Sequence, residues 1–289
     1  VLKKPDGNGG WITLPWSAID GEIDPEWRIF GRSASDSKGP AMSFISALQI
    51  MSREAMPFEF NIKVIMDFQE EISSPKLPLT VKNNQEAFQA DMLVVMDGAR
   101  HISNLPTLAF GARGIATATL TVHGAKNALH SGQYGNFAPN PVFKLSKLIA
   151  GLKDEDGRVT LPGFYDGIHL SPEEIKILAE VPEDMAEIQQ DFGIAAPEKV
   201  GNTLQEALQY PTLNVRGLKA AWTGNEVRTI IPNEAVAEID MRLVPESDGE
   251  RLMGLLKQYI QDQGYHLVDG EPTDEDKTRY PKLASFKYK

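Results

Sequence analysis

After Gly39-Pro40 the apolar positions Phe44, Ile45, Leu48 and Met51 recur at helical spacing. Proline is tolerated in a first helical turn, so the pattern predicts a helix there. Residues 62–68 (Ile-Lys-Val-Ile-Met-Asp-Phe) and 92–96 (Met-Leu-Val-Val-Met) are short, nearly continuous apolar runs. Runs of this kind suit strands buried on both faces, and polar segments with helical potential lie between them, so the pattern predicts an α/β domain with a largely parallel sheet. From about Gly114 the texture changes: residues 116–122 and 238–244 alternate apolar and polar positions, as antiparallel strands with one wet face do. Helices are predicted at 141–152, after the capping-box start Ser171-Pro172-Glu173-Glu174, and at 250–263, where Leu252, Leu255, Leu256, Tyr259 and Ile260 make one stripe. These elements predict a second, α+β domain. Residues 1–27 are rich in Gly and Pro and show no sustained period, which reads as surface connection.

Charge and composition narrow the function. Lys and Arg number 29 against 40 Asp and Glu, a net charge of −11, and this argues against a nucleic-acid partner, which needs a basic footprint. No apolar run approaches the length of a membrane span. Cysteine is absent, so disulfides, thiolate nucleophiles and cysteine zinc sites are excluded together, and any metal must be held by Asp, Glu and five histidines.

Acidic residues stand just after strand-like segments: Asp36 after 27–30, Glu70 and Glu71 after 62–68, and Asp97 after 92–96. In open α/β sheets ligands bind outside the carboxyl ends of strands, and carboxylates gathered there repel one another unless protons or cations intervene. The spacing is compatible with a carboxylate metal site and equally with ordinary loop starts, where Asp caps helices and Glu is solvated.

The wording of the chain decides between these. In order come Gly31-Arg32-Ser33-Ala34-Ser35-Asp36-Ser37-Lys38-Gly39-Pro40, Gln69-Glu70-Glu71-Ile72-Ser73-Ser74, Asp97, Gly111-Ala112-Arg113-Gly114-Ile115, Leu129-His130-Ser131-Gly132-Gln133-Tyr134-Gly135, Thr229-Ile230-Ile231-Pro232 and Arg242-Leu243-Val244-Pro245. The series resembles the metallopeptidase and amidohydrolase family of the aminoacylases, carboxypeptidase G and the cytosolic non-specific dipeptidase, and is closest to the dipeptidase branch. The resemblance implies a catalytic domain, here partial, at 1–113; an inserted lid and dimerisation domain at 114–269; and a return toward the catalytic domain at 270–289. It implies two divalent ions, zinc or manganese, bridged by Asp36, with Glu71 on one and Asp97 on the other. Glu70 would be the general base toward a metal-bridging water, and His130 would reach across a homodimer to steady the oxyanion. Thr229 and Arg242 would hold the substrate's terminal carboxylate, a task that suits the planar fork of arginine. Without the resemblance, Arg242 reads as a partner of Glu238 or Asp240 on a wet sheet face; His123, without such context, reads as structural, as do His101, His169 and His266.

The expected activity is hydrolysis of the amide bond in dipeptides or short peptides with a free carboxylate, in the cytoplasm. N-acyl-amino-acid deacylation is the nearest alternative, and a non-catalytic dimerisation or ligand-binding module is the alternative from another class. The family's His-x-Asp motif lies upstream of its bridging Asp and a further His ligand follows its lid, but no His precedes Asp36 or follows His266 here. The expectation is therefore an internal fragment, inactive alone, of a longer enzyme.

Overall fold

Two short strands form where the sequence suggested only surface connection, and a third forms in the strand-like segment 27–30. β1 (Leu2–Pro5) pairs antiparallel with β2 (Trp11–Leu14) and with β3 (Arg28–Ile29), giving the order β2-β1-β3. Four-residue strands are too short to show a period amid Gly and Pro; they are held by their ladder and by contacts such as the edge-on Trp11 and Phe30 rings, 5.2 Å between centroids. The computed structural model describes residues 1–289 except 21, 22, 99, 100, 102, 104 and 110. It comprises two units, Val1–His101 and Ile102–Lys289.

In the first unit the helix expected after Gly39-Pro40 is α1 (Lys38–Arg53), followed by α2 (Leu77–Asn83) and α3 (Gln85–Phe88). The expected parallel strands at 62–68 and 92–96 are not formed among the described residues: both segments lack ladder pairing. Their side chains are exposed, Phe68 by 91% and Leu93 by 77%. A doubly buried strand requires neighbours on both edges and cover on both faces, and the described residues of this unit supply neither.

The second unit carries the main core. Its strands are β4 (Gly114–His123), β5 (Leu129–His130), β6 (Thr212–Lys219), β7 (Ile230–Ile231), β8 (Glu234–Leu243), β9 (His266–Val268) and β10 (Leu283–Tyr288). Its helices are α4 (Ser131–Tyr134), α5 (Pro141–Ala150), α6 (Pro172–Ala179), α7 (Met185–Phe192), α8 (Leu204–Ala207), α9 (Gly249–Asp262) and α10 (Asp274–Arg279). Five strands form one sheet in the order β6-β8-β4-β10-β9, antiparallel except for the parallel β10–β9 pair, so the sheet is mixed. The predicted alternation is realised in β4: Ala116, Ala118, Leu120 and Val122 are buried. Their core partners include Leu145 and Leu148 of α5 and Leu252, Leu256 and Ile260 of α9. Burying each such leucine contributes about 1.5–3 kcal/mol.

Helix starts follow the sequence signals. Asn140 Oδ1 accepts from the Val142 N–H at 2.9 Å with Pro141 in the first turn, and Asp248 Oδ1 accepts from the Glu250 N–H at 2.9 Å. Ser171 and Glu174 close the predicted capping box.

Residues 270–289 differ from their expected role as a return segment. They form α10 and β10, and β10 pairs with β4 on one side and β9 on the other. Leu283 and Ala284 are buried in that setting, which fixes the segment to this sheet. Among the described residues no helix is long and apolar enough to cross a membrane.

Candidate active site

Within the first unit, Asp36 immediately precedes Ser37, the N-cap residue of α1, and the Asp36–Ser37 peptide is cis. Ser37 Oγ stands 2.7 Å from Asp36 Oδ1 and 2.6 Å from Asp97 Oδ1. A hydroxyl has one proton, so it can satisfy one of these carboxylates and not both. The Ser37 hydroxyl, followed by the Gly98 N–H at 2.8 Å, holds the Asp97 carboxyl below the usual carboxylate range.

Glu70 and Glu71 lie on a single 3₁₀ turn, Glu70–Ile72, and both are exposed. Glu70 is pushed above its ordinary value, first by partial loss of its water shell and then by the like charges of Asp97, Glu71, Asp36 and Asp67. Asp67 accepts from the Gln69 N–H at 2.8 Å through Oδ1, while its Oδ2 is buried with no partner among the described residues. The unit thus brings Asp36, Glu70, Glu71 and Asp97 within electrostatic reach of one another, from loops and a turn and not from the ends of the paired sheet that was expected. Among the described residues none of these four carboxylates forms an ion pair with Lys, Arg or His. Oxygen donors of this kind and density suit a divalent cation. No three of them bring ligand atoms within 4.8 Å of one another; among the described residues that spacing belongs to His123, Glu234 and Glu271.

Within the second unit, the short β5–β7 pair sets His130 opposite Ile230, and the Ser131 N–H donates to the Thr229 carbonyl at 3.2 Å. His130 and Thr229, far apart in sequence, therefore border the same two-stranded pairing. His130 is exposed and caps α4: its Nδ1 accepts from the Gly132 N–H at 3.1 Å. With Nδ1 accepting, a neutral ring carries its proton on Nε2 and presents a donor.

Arg242 lies near the end of β8, opposite Ile115 of β4 and Thr212 of β6, and is exposed. Its Nε is 3.7 Å from Asp240 Oδ2, while Glu238 engages Thr119 at 3.1 Å and Arg216 at 3.8 Å. At that distance, with the Arg242 side chain about half exposed beside a buried Asp240, the pair contributes little and leaves most of the guanidinium available. Sequence reasoning did not single out Arg113, although it stands in the quoted Gly111-Ala112-Arg113-Gly114 motif. Its Nη1 is buried without a hydrogen-bond partner among the described residues. Burial, followed by the positive charge of Arg242, pushes its guanidinium below the ordinary value. Two guanidinium groups that feel each other, one carrying an unused N–H, make an environment receptive to a carboxylate.

Comparison with known proteins adds a family. The M20 peptidase dimerisation domain matches residues 110–267. The Cys-Gly metallodipeptidase dug1 of Schizosaccharomyces pombe is 28% identical over 256 residues, covering 87% of this chain and 53% of its own. The Beta-Ala-His dipeptidase of Homo sapiens is 27% identical over 271 residues, covering 90% of this chain and 52% of its own. The chain thus spans about half the length of the curated relatives it matches. The solved M20 family metallo-carboxypeptidase Sso-CP2 from Sulfolobus solfataricus superposes with a TM-score of 0.67 at 30% identity, over 83% of this chain and 54% of that one. Human carnosine dipeptidase 1 has a TM-score of 0.71 over 99% of this chain and 58% of its own; at 23% identity this likeness concerns the fold.

Proposed function

This chain belongs to the M20 peptidase family by its dimerisation domain, and on that premise we propose that it serves a metal-dependent hydrolysis of the peptide bond in dipeptides or short peptides bearing a free C-terminal carboxylate. The observation that carries the reading is the meeting of Asp36 and Asp97 at the Ser37 hydroxyl, with Glu70 near enough to feel their charge and that of Glu71, and without a basic partner among the described residues. Relatives named as Cys-Gly and Beta-Ala-His dipeptidases favour dipeptides over N-acyl amino acids.

In this reading Asp36, Glu71 and Asp97 would hold two divalent ions, zinc or manganese, with Asp36 serving both. When bound, such a pair supplies positive charge that polarises the scissile carbonyl and favours ionisation of the attacking water. A Glu70 Oε takes the proton of that water and delivers it to the leaving amine as the C–N bond breaks. The Nε2–H of His130 donates to the carbonyl oxygen as negative charge develops there, its ring held by the Gly132 N–H on Nδ1. Arg242, with Arg113 and Thr229, binds the terminal carboxylate and so sets which end of the peptide is read. The dimerisation domain forms a homodimer in which His130 serves the partner's site, and the compartment is the cytoplasm.

Because the chain spans about half of its curated relatives, the activity is assigned to the full-length protein. The experiment is steady-state hydrolysis of Cys-Gly and β-Ala-His by that protein, with zinc and with manganese. Glu70→Gln is expected to lower kcat by about 10²–10⁴-fold with substrate binding retained. A Glu70→Gln enzyme as fast as the parent would overturn the assignment.

A further inference from the structure

We propose that His123, Glu234 and Glu271 form a second divalent-cation site, of zinc-binding character, which ties the connection between β9 and α10 to the sheet. None of these residues belongs to the peptidase cluster proposed above. His123 ends β4, and Glu234, the first residue of β8, is its direct cross-strand partner. Glu271 enters from the connection between β9 and α10. One ligand atom from each of the three lies within 4.8 Å of the other two.

The histidine is prepared as a ligand. It is 4% exposed, and its Nε2 lies 2.8 Å from Ser285 Oγ. That hydroxyl gives its own proton to the Gly270 carbonyl at 2.5 Å, so it can only accept from the ring. The proton of a neutral imidazole is thereby fixed on Nε2, and the Nδ1 lone pair is left over. A ring N–H anchored in this way on one nitrogen, with the other free to coordinate, is the usual outer support of a metal-bound histidine. Gly270 holds the carbonyl in place at φ 86°, a conformation that glycine adopts without strain.

The surroundings fit a cation as well. A cavity of about 200 Å³ is bordered by Thr121, His123, Gly270, Glu271 and Ser285, room enough for water to complete the coordination. Lys287 also borders the cavity and the charge of Lys277 reaches His123, yet neither forms an ion pair with Glu234 or Glu271 among the described residues. Among the described residues the two carboxylates are therefore not engaged by a lysine or arginine. One nitrogen and two carboxylate oxygens with a water make the four-coordinate N/O set that zinc accepts. The site would join three elements: β4, β8 and the connection that follows edge strand β9.

The test is calorimetric titration of zinc into the metal-free 289-residue chain carrying Asp36→Asn and Asp97→Asn, which removes the proposed peptidase cluster from the signal. One zinc ion per chain is expected. Glu271→Gln, at an exposed position, is expected to weaken binding by at least about tenfold, and His123→Gln to abolish it, with circular dichroism showing both variants folded. Ser285→Ala, which removes the outer support alone, is expected to weaken binding without abolishing it. No zinc binding in the parent would overturn the proposal, as would binding unchanged in Glu271→Gln. Either failure leaves the peptidase reading intact, since two of its three proposed ligands, Asp36 and Asp97, are absent from the titrated protein.

Discussion

Asp36 and Asp97 place a carboxylate oxygen against one and the same hydroxyl, that of Ser37, at 2.7 and 2.6 Å. One proton serves two carboxylates, so negative charge remains over at this point, and Glu70 and Glu71 add to it. A divalent cation is the simplest counterion for such a set. Asp97→Asn keeps the shape of the side chain and removes its charge. It is expected to weaken manganese binding in the full-length protein by about 10–100-fold, measured by equilibrium dialysis. Unchanged binding would separate this cluster from any metal.

The guanidinium pair carries a prediction about substrate choice. Arg242 spends little of its hydrogen-bonding capacity on Asp240, and Arg113 holds one buried N–H in reserve. A charged hydrogen bond contributes about 1.5–3 kcal/mol, so Arg242→Ala is expected to raise KM for a free-carboxylate dipeptide by roughly 10–100-fold. The corresponding dipeptide amide, which offers no carboxylate, should be turned over poorly by the parent and no worse by the variant. Arg113→Met should shift KM in the same direction. Equal losses on acid and amide would mean that these arginines act on the fold and not on the carboxylate.

How far the sequence carries depends on whether a signal is local. The stripe of α9, the box at Ser171 and the alternation of β4 are set by neighbours within a few residues, and each is realised. The apolar runs at 62–68 and 92–96 carry no such local information. Whether Leu93 lies in a sheet depends on strands beside it and helices over it, and among the described residues it is 77% exposed. Strands β1 and β2 were invisible for the opposite reason, since four residues cannot display a period. The carboxylates Asp36, Glu70, Glu71 and Asp97 stand out as wording, in ordered motifs. The His123 group does not, because it depends on a cross-strand register with Glu234 and on Glu271 entering from another connection. Residues 270–289 were misread for the same cause, since the place of β10 between β4 and β9 is a long-range pairing.

Acid should loosen α10, and the sign follows from its cap. The Asp276 carboxyl is held below its ordinary value of 3.8, chiefly by the Thr273 hydroxyl, then by the Thr273 N–H, with smaller help from His266 and Arg279. Asp274, in the first turn of the same helix, is lowered by its hydrogen bond from Lys126 and by that residue's charge. A carboxyl whose value is depressed on folding contributes stability that is fully present above the unfolded value and is lost as pH falls through the folded one. The loss therefore begins near pH 4 and deepens below it. Hydrogen exchange of the α10 amides should show strong protection at pH 6 and a decline toward pH 3. Asp276→Asn removes the titrating group, so its protection should be lower than the parent's at pH 6 and the two should draw together as the pH falls below 3.8. A constant difference between parent and variant across that range would show that the cap works through shape alone, with no contribution from the charge of Asp276.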